Sequence, residues 1–221
     1  MQSGVSVSVI VATAPGRKLQ LERCLAGYRA CGGELELIPV PASSAEASWA
    51  AGAALAGGNY LEVVSALDHP AAEDAAFGRA VKQRCTNGGG WLGWVVEVTD
   101  LAELESRLGR RAVPGHRRRP DGYDLRWRQL GVYDLMADPQ LPFFIHWESD
   151  SAEHPGRRSS SQLRLVKLEI AGEPDTVGNW LGSSNGHPLD DIDVEWVDPR
   201  EDEIGLVAAH FSTPQGIVRV D

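Results

Sequence analysis

The sequence predicts an α+β fold in which repeated β-α-β-β-β units form cupped mixed sheets, a half-open barrel, with helices on the outer face. Three observations lead to this prediction. The order of one strand, one helix and several strands occurs three times along the chain. The strands after each helix are close enough in sequence to form antiparallel hairpins. A helix does not separate every pair of strands, which excludes a doubly wound parallel sheet.

The first unit begins with a β-branched strand at residues 5–13. A helix follows, because Leu21, Leu25 and Tyr28 recur at helical spacing. Three strands are predicted after it, at residues 34–40, 49–55 and 59–66. A further helix at residues 71–85 connects this unit to the next one.

The second and third units repeat the order of the first. The second begins with a strand at residues 91–98 and a helix that carries Leu101, Leu104 and Leu108 on one face. The predicted elements that follow are strands at 123–130 and 143–148, then a strand at 164–170, a helix at 174–181 and strands at 191–197, 206–211 and 216–220. Residues 110–121 and 149–162 are polar or rich in Pro and Gly, so we expect loops there.

Composition limits the classes of function. The chain has 221 residues and a net charge of −10, and this acidic balance argues against nucleic acid as a partner. No apolar run approaches the roughly 20 residues that cross a bilayer, and the N-terminus has no signal-peptide pattern, so we expect no membrane partner. The odd set of Cys24, Cys31 and Cys85 has no paired metal spacing, which favours reduced thiols and a cytoplasmic location.

Four stretches of sequence occur in an order typical of a known family. They are GNYLEVV (58–64), GWLGWVVEVTDL (90–101), RRPDGYDLRWR (118–128) and LPFFIHW (141–147). Together they resemble the glyoxalase-like domain proteins of the vicinal oxygen chelate superfamily, which includes glyoxalase, bleomycin-resistance and extradiol dioxygenase proteins. The resemblance implies that residues 1–150 form two units whose sheets pair around a small molecule. Residues 151–162 would then be a linker and residues 163–221 a third such unit, packed with the first two.

The resemblance also bears on metal binding. Many members hold a divalent metal through His or Glu at the start of a first strand and Glu near the end of a last strand. The corresponding first-strand regions here hold Ser8, Val9, Gly93 and Leu168, which do not suit a metal. The last-strand positions are filled by Glu62 and by His146 or Glu148. We therefore expect no cofactor, with a divalent metal as the alternative.

Strand alternation suggests candidate site residues. In the predicted strand that contains residues 124–128, Arg126 and Arg128 lie on the same face. In the predicted strand at residues 143–148, His146 and Glu148 lie on the same face. If these faces point into a cup, the same parity would add Tyr60 and Glu62 from the first unit and His210 from the third. The predicted catalytic residues are His146, Glu148 and Glu62, and the predicted substrate-binding residues are Arg126, Arg128, Tyr60 and His210.

These residue types fit an acid–base site for an anion. Arginine binds carboxylate or phosphate in a bidentate manner, and histidine exchanges protons near neutral pH. The alternative is an ordinary solvent-facing strand surface on which Arg pairs with Glu across strands. The basic run at residues 116–119 also allows a functional and a structural interpretation. It lies either at the entrance of a pocket that binds an anionic substrate or in a solvent-exposed turn.

Two classes of function follow from this pattern. The first is a small-molecule enzyme of the isomerase or lyase type that acts by proton transfer on a polar or anionic substrate. The second is a protein of the same fold that binds or sequesters a small molecule without catalysis. The third unit could instead cover the cup and make the protein a structural or regulatory partner. Three units do not pair evenly, so a homodimer is a further expectation.

Overall fold

The computed structural model describes residues 7–13, 35–38, 49–56, 59–66, 74–119, 121–154, 164–182, 189, 191–199 and 204–221. The strands before residue 59 are described by their backbone pairing. The predicted first helix, with Leu21, Leu25 and Tyr28, lies outside these residues, as do Cys24 and Cys31 and most of the predicted linker.

Eight strands form a large sheet, in the spatial order β2-β3-β4-β1-β5-β8-β7-β6, that curls into a half-barrel. The strands are β1 (Val7–Thr13), β2 (Leu35–Ile38), β3 (Trp49–Ala56), β4 (Asn59–Ala66), β5 (Gly90–Glu97), β6 (Val113–Arg118), β7 (Asp124–Leu130) and β8 (Phe143–Trp147). β1 pairs parallel with β4, and β5 pairs parallel with β8. Antiparallel pairing of β1 with β5 joins two halves of the same topology. The predicted α+β class and half-open barrel are confirmed.

Four strands form a small sheet in the order β10-β9-β11-β12. They are β9 (Arg164–Ala171), β10 (Asp193–Val197), β11 (Gly205–Thr213) and β12 (Gly216–Val220). The order of strand, helix and three strands is the one predicted for the third unit. The pairing differs from that in the large sheet, because β9 pairs parallel with the next strand, β10, whereas β1 and β5 pair parallel with β4 and β8, the last strands of their units.

The described helices are α1 (Ala76–Thr86), α2 (Ala102–Leu108) and α3 (Pro174–Leu181). Asp100 precedes α2, and its Oδ1 accepts a hydrogen bond of 3.0 Å from the backbone N–H of Ala102. This contact satisfies one of the free donors at the helix start. Gly109 ends α2 with a φ of 62°, a left-handed conformation that glycine adopts without steric cost. None of the described helices is long and apolar enough to span a membrane.

The large sheet has two faces with different neighbours. The outer face carries apolar side chains that share one core with the small sheet and α3. They are Leu61, Val63, Trp94, Val96, Leu130 and Phe144, packed with Leu168, Ile170, Val177 and Phe211. The inner face carries Val64, Val95, Phe143 and Ile145, and α1 packs against it through Val81 and Cys85.

Polar contacts attach the small sheet and α3 to the outer face. The indole of Trp180, on α3, stacks on Phe144 at 6.1 Å between ring centroids. Trp180 Nε1 donates to the carbonyl of Pro142 at 2.8 Å, and Trp91 Nε1 donates to that of Val207 at 2.9 Å. These contacts cover part of the outer face, whereas α1 packs against part of the inner face.

The prediction of a loop at residues 110–121 is wrong over half of its length. Residues Val113–Arg118 form β6, which pairs antiparallel with β7. Pro114 and Gly115 lower the intrinsic strand propensity of this stretch. Tertiary pairing overrides that propensity, and Pro is tolerated because β6 is the edge strand of the sheet.

Candidate functional site

Three charged side chains lie on the inner face of the large sheet. Glu97 pairs with Ile145, and Arg117 pairs with Leu125 on the neighbouring strand, so each shares a face with its partner. Glu62 lies on β4 at the same parity as Val64, which belongs to the inner core. Glu62 therefore comes from one half of the sheet, whereas Glu97 and Arg117 come from the other.

Glu62 is a carboxylic acid with altered acidity. Burial raises its pKa to about 7, because the surrounding protein removes water that would stabilise the carboxylate. The positive charge of Arg117 acts in the opposite direction and lowers the pKa of Glu62 in part. Glu62 therefore changes its protonation state near neutral pH beside a fixed cation.

Two buried N–H groups on the inner face lack hydrogen-bond partners among the described residues. Arg117 is 9% exposed, yet its Nε has no acceptor there, and neither has Nε1 of Trp147. A buried donor without an acceptor is costly, so such groups are rare in folded proteins. Both atoms are donors only, which makes a ligand with acceptor oxygens the natural complement.

A continuous series of rings lies beside these charged groups. The centroids of Trp127 and Trp147 are 5.5 Å apart, and Trp147 meets His154 edge-on at 5.3 Å. His154 in turn meets Tyr60 edge-on at 5.8 Å. We call these four residues the aromatic wall. It joins Tyr60 of the first unit to Trp127 and Trp147 of the second.

His154 reaches the inner face from a short 3-10 turn at Ser151–Glu153. Asp150 Oδ1 accepts a hydrogen bond of 2.8 Å from Ala152 N and so caps the turn. Arg119 ties the turn to the end of β6 through an ion pair of 2.5 Å with Glu153. His154 is only 2% exposed, and its Nε2 lies 3.4 Å from Glu97 Oε2.

Of the predicted site residues, Tyr60 and Glu62 lie on the inner face, but Arg126, Arg128 and His146 do not. Arg128 pairs with His146, and this row lies on the outer side of the sheet. The sequence expectation that these residues converge with Glu62 is wrong. The reason is register: the inner face of β7 and β8 carries the odd-numbered residues, whereas that of β4 carries the even-numbered ones.

The three outer residues have local partners. His146 Nδ1 lies 3.1 Å from the carbonyl oxygen of Val98. Arg128 Nη2 lies 3.2 Å from Glu105 Oε1 on α2. Arg126 is exposed and pairs with Asp124 at 2.7 Å. The two arginines thus pair with carboxylates of their own strand and of α2, and not with Glu across strands as in the alternative interpretation.

The other two predicted residues also lie away from the inner face. Glu148 follows the end of β8 and is exposed. His210 lies on the small sheet, where its Nε2 is 2.6 Å from Glu169 Oε1. Arg219 also binds Glu169, and its two hydrogen bonds hold the pKa of that carboxyl at about 2, with a smaller contribution from His210. His210 therefore belongs to a charged cluster on another sheet.

Comparisons with known proteins identify the family. A family model described as a glyoxalase-like domain matches residues 35–183. The chain belongs to this glyoxalase-like domain family. The resemblance to the vicinal oxygen chelate superfamily is thereby confirmed. No curated protein matches the chain in a sequence comparison.

One solved structure has a similar fold over nearly the whole chain. A hypothetical protein from Staphylococcus aureus has a TM-score of 0.65 at 12% identity, over 98% of this chain and 99% of that one. A variant of methylmalonyl-CoA epimerase from Streptomyces coelicolor has a TM-score of 0.41 at 21% identity, over 70% of this chain and 100% of that one. A mutant of 4-hydroxymandelate synthase from the same organism has a TM-score of 0.48 at 13% identity, over 82% and 52%. At these identities only the fold is shared.

Within this glyoxalase-like domain, the described residues do not fit the metal site of the superfamily. They contain no group of three or more His, Cys, Asp or Glu that could hold a metal ion. Gly93 is the position of the second unit that corresponds to a first-strand metal ligand. It pairs with β1, and glycine has no side chain that could bind a metal. His146, one of the expected last-strand donors, lies on the outer side. We therefore derive no chemical step through a metal.

Sequence reasoning missed Glu97, Arg117 and His154. Arg117 lies in the basic run 116–119, which lacks apolar neighbours that would signal a strand. The signal available was alternation: Arg117 is two residues from Gly115 and four from Val113, a period that fits one face of a strand. His154 lies in a polar turn, and no local pattern predicts its burial.

Proposed function

We propose that this glyoxalase-like protein is a small-molecule enzyme that transfers a proton through Glu62 on an anionic substrate held at the inner face. One observation carries the proposal. Glu62 and the buried Arg117 both lie on that face, the charge of Arg117 acts on Glu62, and Arg117 Nε has no acceptor among the described residues. Together they supply a proton acceptor and an anchor for negative charge.

The chemistry follows from the acidity of Glu62. A general base works best when its pKa is near the working pH, and a pKa of about 7 meets this condition. Glu62 as carboxylate takes a proton from the carbon next to a carbonyl or carboxylate group. The electron pair of the broken C–H bond moves onto the neighbouring oxygen, and Arg117 stabilises the resulting negative charge.

The fate of that intermediate distinguishes two reaction types. In an isomerase, the protonated Glu62 returns the proton to a neighbouring carbon of the intermediate. In a lyase, the electron pair expels a leaving group from the adjacent carbon. Both reactions need one proton-transferring group and one anion-binding group, which Glu62 and Arg117 supply.

Exchange of carbon-bound hydrogen with solvent tests this proposal. We would incubate the protein in D₂O with pyruvate, 2-oxobutyrate and oxaloacetate and follow the α-proton signals by NMR. We expect the wild type to accelerate exchange, and Glu62→Gln to lower the rate by about 10²–10⁴-fold, the usual contribution of a general base. His146→Gln, on the outer side, is the matched control and should exchange at the wild-type rate.

Two results of that experiment would overturn proton transfer by Glu62. One is exchange that persists in Glu62→Gln at the wild-type rate. The other is exchange with none of the three acids above the rate in buffer. The second result would favour the other candidate function, binding or sequestering of a small molecule, for which the aromatic wall already provides a surface.

The partner and location of the protein stay predictions. We propose a small molecule as the ligand, with no nucleic acid or membrane partner, and a homodimer as the assembly. A cytoplasmic location is proposed from the cysteine pattern; the described cysteine, Cys85, is buried. Size-exclusion chromatography with light scattering would decide between a monomer and a dimer.

A further inference from the structure

We propose that the inner face takes a planar conjugated acid, whose flat body lies against the aromatic wall at Trp127 and whose anionic oxygen accepts from Arg117. A second acceptor on the same molecule would meet Trp147 Nε1. This inference deepens the proposed function, since it names the class of molecule that the Glu62 site would act on.

The positions of the two donors on the sheet set the orientation. In the antiparallel pairing, Gly115 of β6, Trp127 of β7 and Trp147 of β8 lie in one row across the inner face. Arg117 lies two residues along β6 from Gly115, on the same side of the strand. The strands that carry Arg117 and Trp147 therefore flank the strand of Trp127 on opposite sides. We expect a molecule over its indole to meet one donor from each of these strands.

The indole of Trp127 lies over β6 at Gly115, which has no side chain. A Cβ added at Gly115 would collide with Nε1 and Cε2 of Trp127, so the indole rests directly on the backbone of β6. Trp127 Nε1 donates to Gln129 Oε1 at 3.2 Å, which fixes the ring. A fixed, partly exposed indole favours stacking with a planar ring over contact with a saturated one.

The charge pattern favours an anion at Arg117. Glu97, another acid of the inner face, lies 3.4 Å from His154 Nε2. Arg117 interacts with Glu62, but its Nε has no acceptor among the described residues. A carboxylate accepts two parallel hydrogen bonds from a guanidinium group, including one from Nε, which makes a carboxylate a suitable complement.

Binding of three matched probes tests the inference. The probes are 2-naphthoate, 2-naphthamide, which has the same rings without the charge, and decahydro-2-naphthoate, which has the charge without the flat rings. We would measure dissociation constants by calorimetry on the whole chain. We expect 2-naphthoate to bind at least about tenfold more tightly than either control, as expected for a charged hydrogen bond and for ring stacking.

Variants locate the site. Arg117→Met should weaken 2-naphthoate by at least about tenfold, and Arg117→Lys, which keeps the charge, should weaken it less. Trp147→Phe keeps an aromatic ring but removes the N–H donor, so it should weaken the binding of 2-naphthoate by a smaller factor than Arg117→Met does. Arg118→Met is the matched control, because Arg118 is the next residue on β6 and is exposed on the other side. Circular dichroism of each variant checks that it folds.

The outcomes separate this inference from the proposed reaction. Equal affinity for all three probes, or equal effects of Arg117→Met and Arg118→Met, would overturn the planar-acid site. Failure of 2-naphthoate to bind the folded wild type would overturn it as well. Glu62→Gln should still bind 2-naphthoate, so loss of solvent exchange with retained binding would refute the reaction alone.

Discussion

At the scale of single residues, the inner face combines a titrating carboxyl, Glu62, with a cation, Arg117, that lowers its pKa in part. Glu62 gains a proton more easily than an exposed glutamate because the protein replaces its water. Arg117 limits this effect with its positive charge. A group with a pKa near 7 spends comparable time in both protonation states at neutral pH, which is the property a proton-transferring residue needs.

The raised pKa of Glu62 predicts a pH-dependent effect on stability. The folded-state pKa of about 7 lies above the unfolded value of 4.5, so the folded state binds the proton more tightly. Ionisation therefore costs stability progressively as pH rises from about 4.5 to 7, by roughly 1–3 kcal/mol in total. The side chain in Glu62→Gln stays neutral at every pH, so this variant should not lose stability in this way as pH rises.

Thermal unfolding from pH 5 to pH 8 checks this expectation. The melting temperature of Glu62→Gln minus that of the wild type should grow as pH rises to about 7 and then stay constant. Glu103→Gln, on the exposed surface of α2, serves as the control and should show no such trend. A constant difference for Glu62→Gln across this range would contradict a raised pKa.

Arg117 offers a second test at the same scale. Because its charge lowers the pKa of Glu62, Arg117→Met should move the pKa of Glu62 further upward. Titration of ¹³C-labelled glutamate carboxyls by NMR measures this directly, with the Glu62 signal assigned from Glu62→Gln. Arg118→Met should leave the pKa of Glu62 unchanged. A downward shift in Arg117→Met would show that the two side chains do not interact as described.

At the scale of elements, β6 determines the shape of the inner face. Alternation along Val113–Arg118 places Gly115 and Arg117 on one side and His116 and Arg118 on the other. The glycine makes room for an indole, and the arginine places a charge beside it. The same short strand therefore supplies both features that the planar-acid proposal uses.

Gly115→Ala should disturb this arrangement. The new methyl group would collide with the Trp127 indole, so the ring must move, at a cost of about 1–3 kcal/mol in stability. We expect a changed near-ultraviolet circular dichroism spectrum and a lower unfolding free energy. His116→Ala, on the opposite side of β6, should change neither by a comparable amount. An unaltered spectrum in Gly115→Ala would mean that Trp127 does not rest on this strand.

At the scale of the whole molecule, one core joins the two sheets. Leu168 and Ile170 of β9 belong to the same buried cluster as Trp94 and Phe144 of the large sheet. Because the small sheet packs against part of the outer face, its packing supports the strands that carry the inner face. We therefore expect the two sheets to unfold as one unit.

Leu168→Ala tests this coupling. Leu168 is fully buried, so its truncation should cost about 2–5 kcal/mol through lost burial and the cavity left behind. Urea unfolding followed by tryptophan fluorescence and by far-ultraviolet circular dichroism should show one transition at a lower midpoint with both probes. Ile217→Ala, at a side chain that is 70% exposed, should have little effect. Two separate transitions in Leu168→Ala would show that the sheets unfold independently.

Local patterns in the sequence were sufficient to predict most of the described helices and strands. Helix spacing and strand alternation depend on neighbouring residues alone, and they placed β4 at Asn59–Ala66, α3 at Pro174–Leu181 and β12 at Gly216–Val220 as the structure has them. The order of motifs also led to the correct family. By contrast, β6 was missed because its Pro, Gly and Arg residues disfavour a strand until β7 pairs with it.

Within each strand, the sequence by itself determined which residues share a face. It separated Arg126 and Arg128 from Trp127, and the structure agrees. Only the tertiary structure decided which of those faces meets Glu62. Alternation has a period of two residues and depends on the local backbone, whereas the relation between strands far apart in the chain depends on register. A shift of one residue in register exchanges every inner and outer side chain, and that shift is what placed Arg117 rather than Arg128 beside Glu62.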